Sequence, residues 1–177
     1  MLKQFTLCLM LMLLCIMGVV SQSRRQITTK VQQDIVQQMV RDGQIQSTCV
    51  QEEGGESKVV DIGTVNLNRD GKPEYEIYGH GCACNGGRRC DQWLYRQTAS
   101  GYELLLGPLQ VDGFDVKKSL TNGYFDIAIA SPAGNDYFVE LYKYDGSRYQ
   151  LRECEDCVYI GRRRGSTHKC TRVKCPQ

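Results

Sequence analysis

The chain has 177 residues, with 22 Lys and Arg against 20 Asp and Glu, and it carries ten cysteines. Near-balanced charge argues against a nucleic-acid binder, and no glycine-rich phosphate cradle, heptad repeat or low-complexity segment occurs. The length suits one domain able to bury its own core.

Lys3 and the apolar run from Phe5 to Val20 read as an export signal, with Val19 and Ser21 where a signal peptidase would cut. The run is shorter than the roughly 20 residues that span a bilayer. Arg24 and Arg25 follow it directly, so a retained N-terminal anchor is the alternative, and membrane contact depends on that retention. Removal of residues 1–21 takes away Cys8 and Cys15 and leaves eight cysteines. An even number in an exported chain reads as disulfides, in a secreted or periplasmic protein.

After the signal, Thr28 or Thr29 can cap an amphipathic helix whose apolar face is Val31, Ile35, Val36, Met39 and Val40, with Gly43 as its stop. The pattern then shifts to period two. Strands are expected at residues 59–65, 75–78, 92–97, 102–106, 111–116, 124–130, 137–144 and 148–152. "LTNG" and "DGS" supply the Asn-Gly and Asp-Gly pairs that favour tight hairpins. The expected class is mainly β (α+β): one N-terminal helix packed on an antiparallel meander or small sandwich of about seven strands, bridged by disulfides. Trp93 and the ten tyrosines fall mostly at alternating strand positions, as packing residues do.

Between the first two strands lies "NLNRDGKPEYE", residues 66–76. This stretch resembles the D-x-N-x-D-G-x-x-D/E calcium loop of FG-GAP and VCBS-type repeats. With "WLYRQTASGYELLL", "TNGY" and "YKYDGSRYQL", residues 30–154 resemble exported bacterial domains of unknown function that carry one such loop after a strand. The resemblance implies a fold neighbourhood and a calcium ion, and no activity. Calcium takes six to eight oxygens at about 2.3–2.6 Å. Asn66, Asn68 and Asp70 would offer side-chain oxygens, Lys72 its carbonyl and Glu74 the closing carboxylate, around a turn made by Gly71. Asn66 stands where the family has an acid, so binding is expected in the weak range of about 0.1–1 mM. The same residues also suit a metal-free turn held by side-chain-to-backbone hydrogen bonds.

"HGCACNGGRRC" places His80, Cys82, Cys84 and Cys90 close together. Zinc or copper could use such a group, but export favours disulfides, with Cys82 or Cys84 closing onto Cys90 and the other reaching elsewhere. Cys49 is expected to tie the helix to the sheet, with Cys154 as a partner suggested by chain order. Cys154, Cys157, Cys170 and Cys175 follow a C-x2-C-x12-C-x4-C spacing that would suggest zinc in a cytosolic chain. In an exported one it reads as two bridges pinning a basic tail.

That tail, residues 158–177, holds Arg162, Arg163, Arg164, Lys169, Arg172 and Lys174 with no acid, whereas residues 22–157 carry a net charge of −5. A boundary is therefore placed at Val158, separating a 22–157 domain from a 158–177 tail. Neither histidine has a recognisable nucleophile partner and no paired acids stand out, so an enzyme is not expected. The leading expectation is an exported non-catalytic binding or structural protein. The alternatives are an exported inhibitor of cell-wall hydrolases, and a protein that binds an envelope polyanion through the basic tail.

Overall fold

A computed structural model describes residues 27–84, 90–133, 136–160 and 167–176. The expected signal segment lies outside these residues. Among the described residues no helix is long and apolar enough to cross a membrane.

Helix α1 (Thr29–Arg41) starts where Thr28 Oγ1 accepts the Val31 N–H, and Gly43 follows its end with φ +68°. It buries Ile35, Val36 and Met39. Two short helices, α2 (Ser47–Glu52) and α3 (Glu56–Val59), lead into the first strand. Nine strands follow among the described residues: β1 (Val60–Val65), β2 (Glu74–Gly79), β3 (Gln92–Thr98), β4 (Gly101–Leu109), β5 (Asp115–Thr121), β6 (Tyr124–Ala133), β7 (Asp136–Tyr144), β8 (Tyr149–Ile160) and β9 (Thr167–Val173). They form two antiparallel meanders, β1-β2-β3-β4 and β5-β6-β7-β8-β9.

The four-stranded sheet is the middle layer of three. Its register pairs Tyr75 with Tyr95 and Ile77 with Trp93. These side chains form one face, which packs with Tyr102 against Ile35, Val36 and Met39 of α1. Leu94 points the other way and joins Leu67, Leu105 and Leu106 against Ile127, Ile129, Tyr142 and Tyr149 of the five-stranded sheet. Trp93, Leu94 and Tyr95 are therefore all buried, although consecutive strand residues face opposite sides. Each fully buried side chain of this size contributes about 1.5–3 kcal/mol. Helix and sandwich are thus both present.

The fold departs from the expected elements in two places. The segment read as a strand at 111–116 is mostly loop, with Val111 and Phe114 dipping into the core between the sheets. The strand itself starts at Asp115 and is largely exposed. Its hairpin turns at Asn122 and Gly123, both with positive φ, as Asn-Gly favours. The composition shift at Val158 falls inside β8, and β9 pairs along β8 from Cys154–Val173 to Ile160–Thr167. The described residues 158–160 and 167–173 of the basic segment thus lie in the sheet, as the end of β8 and as its edge strand β9.

The eight cysteines pair as Cys49–Cys82, Cys84–Cys90, Cys154–Cys175 and Cys157–Cys170. Cys84 closes onto Cys90 and Cys82 reaches elsewhere, as expected. The partner suggested for Cys49 is corrected: Cys154 lies in the other sheet and is bound to Cys175. Disulfides persist in oxidising compartments, so the chain reads as one that matures outside the cytosol. Loop-closure entropy ranks the two N-terminal bridges. Replacing Cys49 and Cys82 by Ala, a separation of 33, is expected to cost about 4 kcal/mol, and Cys84 with Cys90, a separation of 6, about 2 kcal/mol. Urea denaturation of the two double variants tests that order.

Candidate functional site

The loop between β1 and β2 is where the strongest sequence motif and the sheet junction coincide. Gly71, at φ +79°, makes its reversal. Asn68 Oδ1 accepts the Asp70 N–H at 2.9 Å, and Asp70 Oδ1 accepts the Lys72 N–H at 2.7 Å. Glu74, only 2% exposed, turns back under the loop. Its Oε2 accepts the Leu67 N–H at 2.7 Å and its Oε1 accepts from Asn68 Nδ2 at 2.9 Å. Asn66, Asp70 and Lys72 are exposed. Oxygens of Asn68, Asp70 and Glu74, three of the five residues named for a cation, are thus engaged in Asx turns or with N–H donors, and the Asn68 amide group stands against Glu74. The arrangement is a hydrogen-bonded turn and does not form an oxygen cage. The donor set as placed does not fit a calcium ion.

What the turn holds is the second sheet. Leu67 O accepts the Phe125 N–H at 2.7 Å, and Asn68 and Tyr124 form an isolated antiparallel bridge. Arg69 lies over the Phe125 ring at 5.4 Å. Beside it, Arg96 donates to Tyr144 Oη at 2.6 Å and pairs with Glu103 at 2.7 Å, while the rings of Tyr124 and Tyr144 stand 4.2 Å apart. Arg96 is on β3 and the tyrosines are on β6 and β7, so this cluster also joins the sheets. The tyrosines were legible as packing residues, but nothing in the local pattern marked Arg96 as their partner.

Burial pushes the Glu74 carboxyl up from the usual range, opposed by the Leu67 N–H, while Asp70 adds to the rise. A carboxyl with a raised folded-state pKa gives stability that is fully present below its unfolded value and is lost as pH rises through the folded one.

The cysteine clusters hold no free thiol pair. Glu155, Cys157 and Cys170 lie close enough for a metal, but the two sulfurs are joined to each other. His80 is exposed, and its Nε2 lies 2.8 Å from Asp61 Oδ2. Lys169, Arg172 and Lys174 are exposed on or just after β9, while Arg162, Arg163 and Arg164 lie outside the described residues. Arg172 pairs with Glu153, which also accepts from Lys143 at 2.6 Å.

A groove of about 690 Å³ runs along β4, between the end of α1 and the start of β8. No sequence motif announced it, because its lining comes from three segments distant in the chain.

Comparison with protein-family models, curated proteins and solved structures gave no match.

Two outcomes are expected of the loop. Glu74→Gln replaces one acceptor by a donor facing a donor and should cost about 1–3 kcal/mol. The advantage of the native chain over this variant should be largest near pH 4 and shrink toward pH 7; an advantage growing with pH would mean that the hydrogen bonds to the carboxylate outweigh its burial. Calorimetric titration with calcium to about 5 mM, beyond the weak range of such modules, should give no saturable heat. Saturable binding would show that the turn reopens into a cage.

Proposed function

We propose that the chain is an exported, non-catalytic binding protein that grips an anionic polymer of the cell envelope with the β8–β9 hairpin. One observation carries this reading: the hairpin separates its charges at a disulfide. Below Cys157–Cys170, the acids Glu155 and Asp156 stand opposite Arg172 and Thr171, and Glu153 pairs with Arg172. Beyond that bridge, residues 158–169 carry Arg162, Arg163, Arg164 and Lys169 with no acid. The base is neutralised and the tip is left cationic. Cys154–Cys175 secures the far end of β9. Lys169 lies on a strand held by two disulfides, so that strand loses little conformational freedom on binding.

Guanidinium groups suit sulfate, phosphate and carboxylate because their fork of donors matches paired oxygens. Export through the N-terminal signal would bring the hairpin to such polymers. Cations beside an anionic surface contribute about 1 kcal/mol each. Changing Arg162, Arg163 and Arg164 together to Ala should therefore weaken binding to dextran sulfate roughly a hundredfold at 50 mM salt. The difference should largely vanish near 1 M salt, where the screening length is about 3 Å. Equal binding by both proteins at low salt would remove the hairpin from the account.

A further inference from the structure

Edge strands present unpaired backbone groups, and proteins usually guard them with charge, a cover or brevity. Among the described strands β1, β4, β5 and β9 are edges. β5 carries Lys117 and Lys118, β9 carries Lys169 and Arg172, and β1 has Asp61 at an exposed position. β1 and β4 each carry a single charged residue, Asp61 and Glu103, drawn to His80 and Arg96; β4 is the one that borders the groove. Its six residues Tyr102–Gly107 line the groove consecutively. Alternate residues would mark a face of the strand; an unbroken run marks its edge, where backbone N–H and C=O groups point outward. Apart from Pro108 near its end, the edge thus carries one paired charge and lies between segments of α1 and β8.

Gln38, Asp42 and Gln44 from the end of α1 form one wall, and Arg148 and Gln150 at the start of β8 form the other. Gln38 and Gln44 mark the two ends of the α1 wall: Gln38 lies beside Gly101, and Gln44 accepts from the indole of Trp93, whose ring lies against Gly107. Six strand residues span about 20 Å.

We propose that this groove takes an extended peptide segment of a partner protein, added to β4 as a fifth strand. Backbone pairing would supply affinity, and pockets for alternate side chains would supply choice. Successive side chains of an added strand point to opposite walls. The walls differ in charge, with Asp42 on one and Arg148 on the other. The segment that fits carries a cation toward α1 and, at the adjacent position, an acid toward β8. A second folded copy cannot pair here through its own β4, because each β4 lies at the bottom of a walled groove and the walls would collide. The site is separate from the cationic hairpin: Tyr149 and Ile160 stand at opposite ends of β8, roughly 36 Å apart at the usual strand rise.

The test uses the full mature chain and two capped heptapeptides of Thr and Val. One carries Lys at positions 2 and 4 and Glu at positions 3 and 5; the control carries Lys at 2 and 3 and Glu at 4 and 5. Amide exchange read by NMR should show saturable protection of alternate N–H groups within Tyr102–Leu106 by the first peptide, and weaker protection by the control. Arg148 is exposed, so Arg148→Glu should leave the fold intact while weakening the first peptide roughly twofold to fivefold, the range of one exposed ion pair. No protection of β4 at several millimolar peptide overturns the proposal, as does equal protection by both peptides. Protection that grows with protein concentration alone assigns the groove to a second copy and overturns it as well. Arg162, Arg163 and Arg164→Ala should leave peptide binding unchanged, so failure of either site is read independently.

Discussion

A single buried carboxylate sets how the two sheets meet. Glu74 sits at the start of β2 with both oxygens turned toward the preceding loop, where they take the Leu67 N–H and the Asn68 amide. Holding Leu67 by its N–H fixes the direction of its carbonyl, which then receives the Phe125 N–H from the other sheet. Desolvating a carboxylate is costly, and two short hydrogen bonds offset only part of that cost. The arrangement is retained where an apolar residue would pack more cheaply, because an apolar residue could not orient the loop. Specificity of the junction, more than its net energy, is what Glu74 contributes.

From that junction the layering follows. Once Leu67 and the Asn68–Tyr124 bridge tie β1 and β2 to β6, Leu94, Leu105 and Leu106 face Ile127 and Ile129 across the sandwich. The opposite face of the same sheet must then be covered by something else, and α1 does so with Ile35, Val36 and Met39. Two packed faces on one sheet leave its edges as the open backbone, and β4 is the edge that borders the groove.

Much of this was legible in the sequence where the signal was local. The spacing of Ile35, Val36 and Met39 gave α1, and alternation with Asn-Gly and Asp-Gly pairs gave most strands. β9 was not legible as a strand, because "THKCTRV" shows no apolar alternation. Its described side chains are exposed, and it is held by the ladder to β8 and by two disulfides in place of burial. The division of strands into two sheets was equally hidden, since it rests on which faces meet at long range. The 66–74 loop was located correctly but admitted two readings. A cation loop and a hydrogen-bonded turn both need oxygens at alternate positions around a glycine, and only the direction of the Asn68 amide separates them here.

The cysteines show how covalent and non-covalent restraints divide the work. The inter-sheet core lies near the Glu74 junction and is closed by apolar packing of both sheets. Among the described residues no bridge crosses it. Cys49–Cys82 instead fastens α2 to the end of the four-stranded sheet, where Gly79 and Ala83 pack closely. The two C-terminal bridges join β8 to β9 and to Cys175 just after it, where β9 has no apolar face to bury. Disulfides are thus spent where hydrophobic area is scarce, as small domains generally use them. A strand freed in this way from packing can present charge along its exposed side, because its attachment does not depend on the chemistry of its side chains. That freedom is what lets β9 carry Lys169 and Arg172 on exposed positions without loosening the sheet.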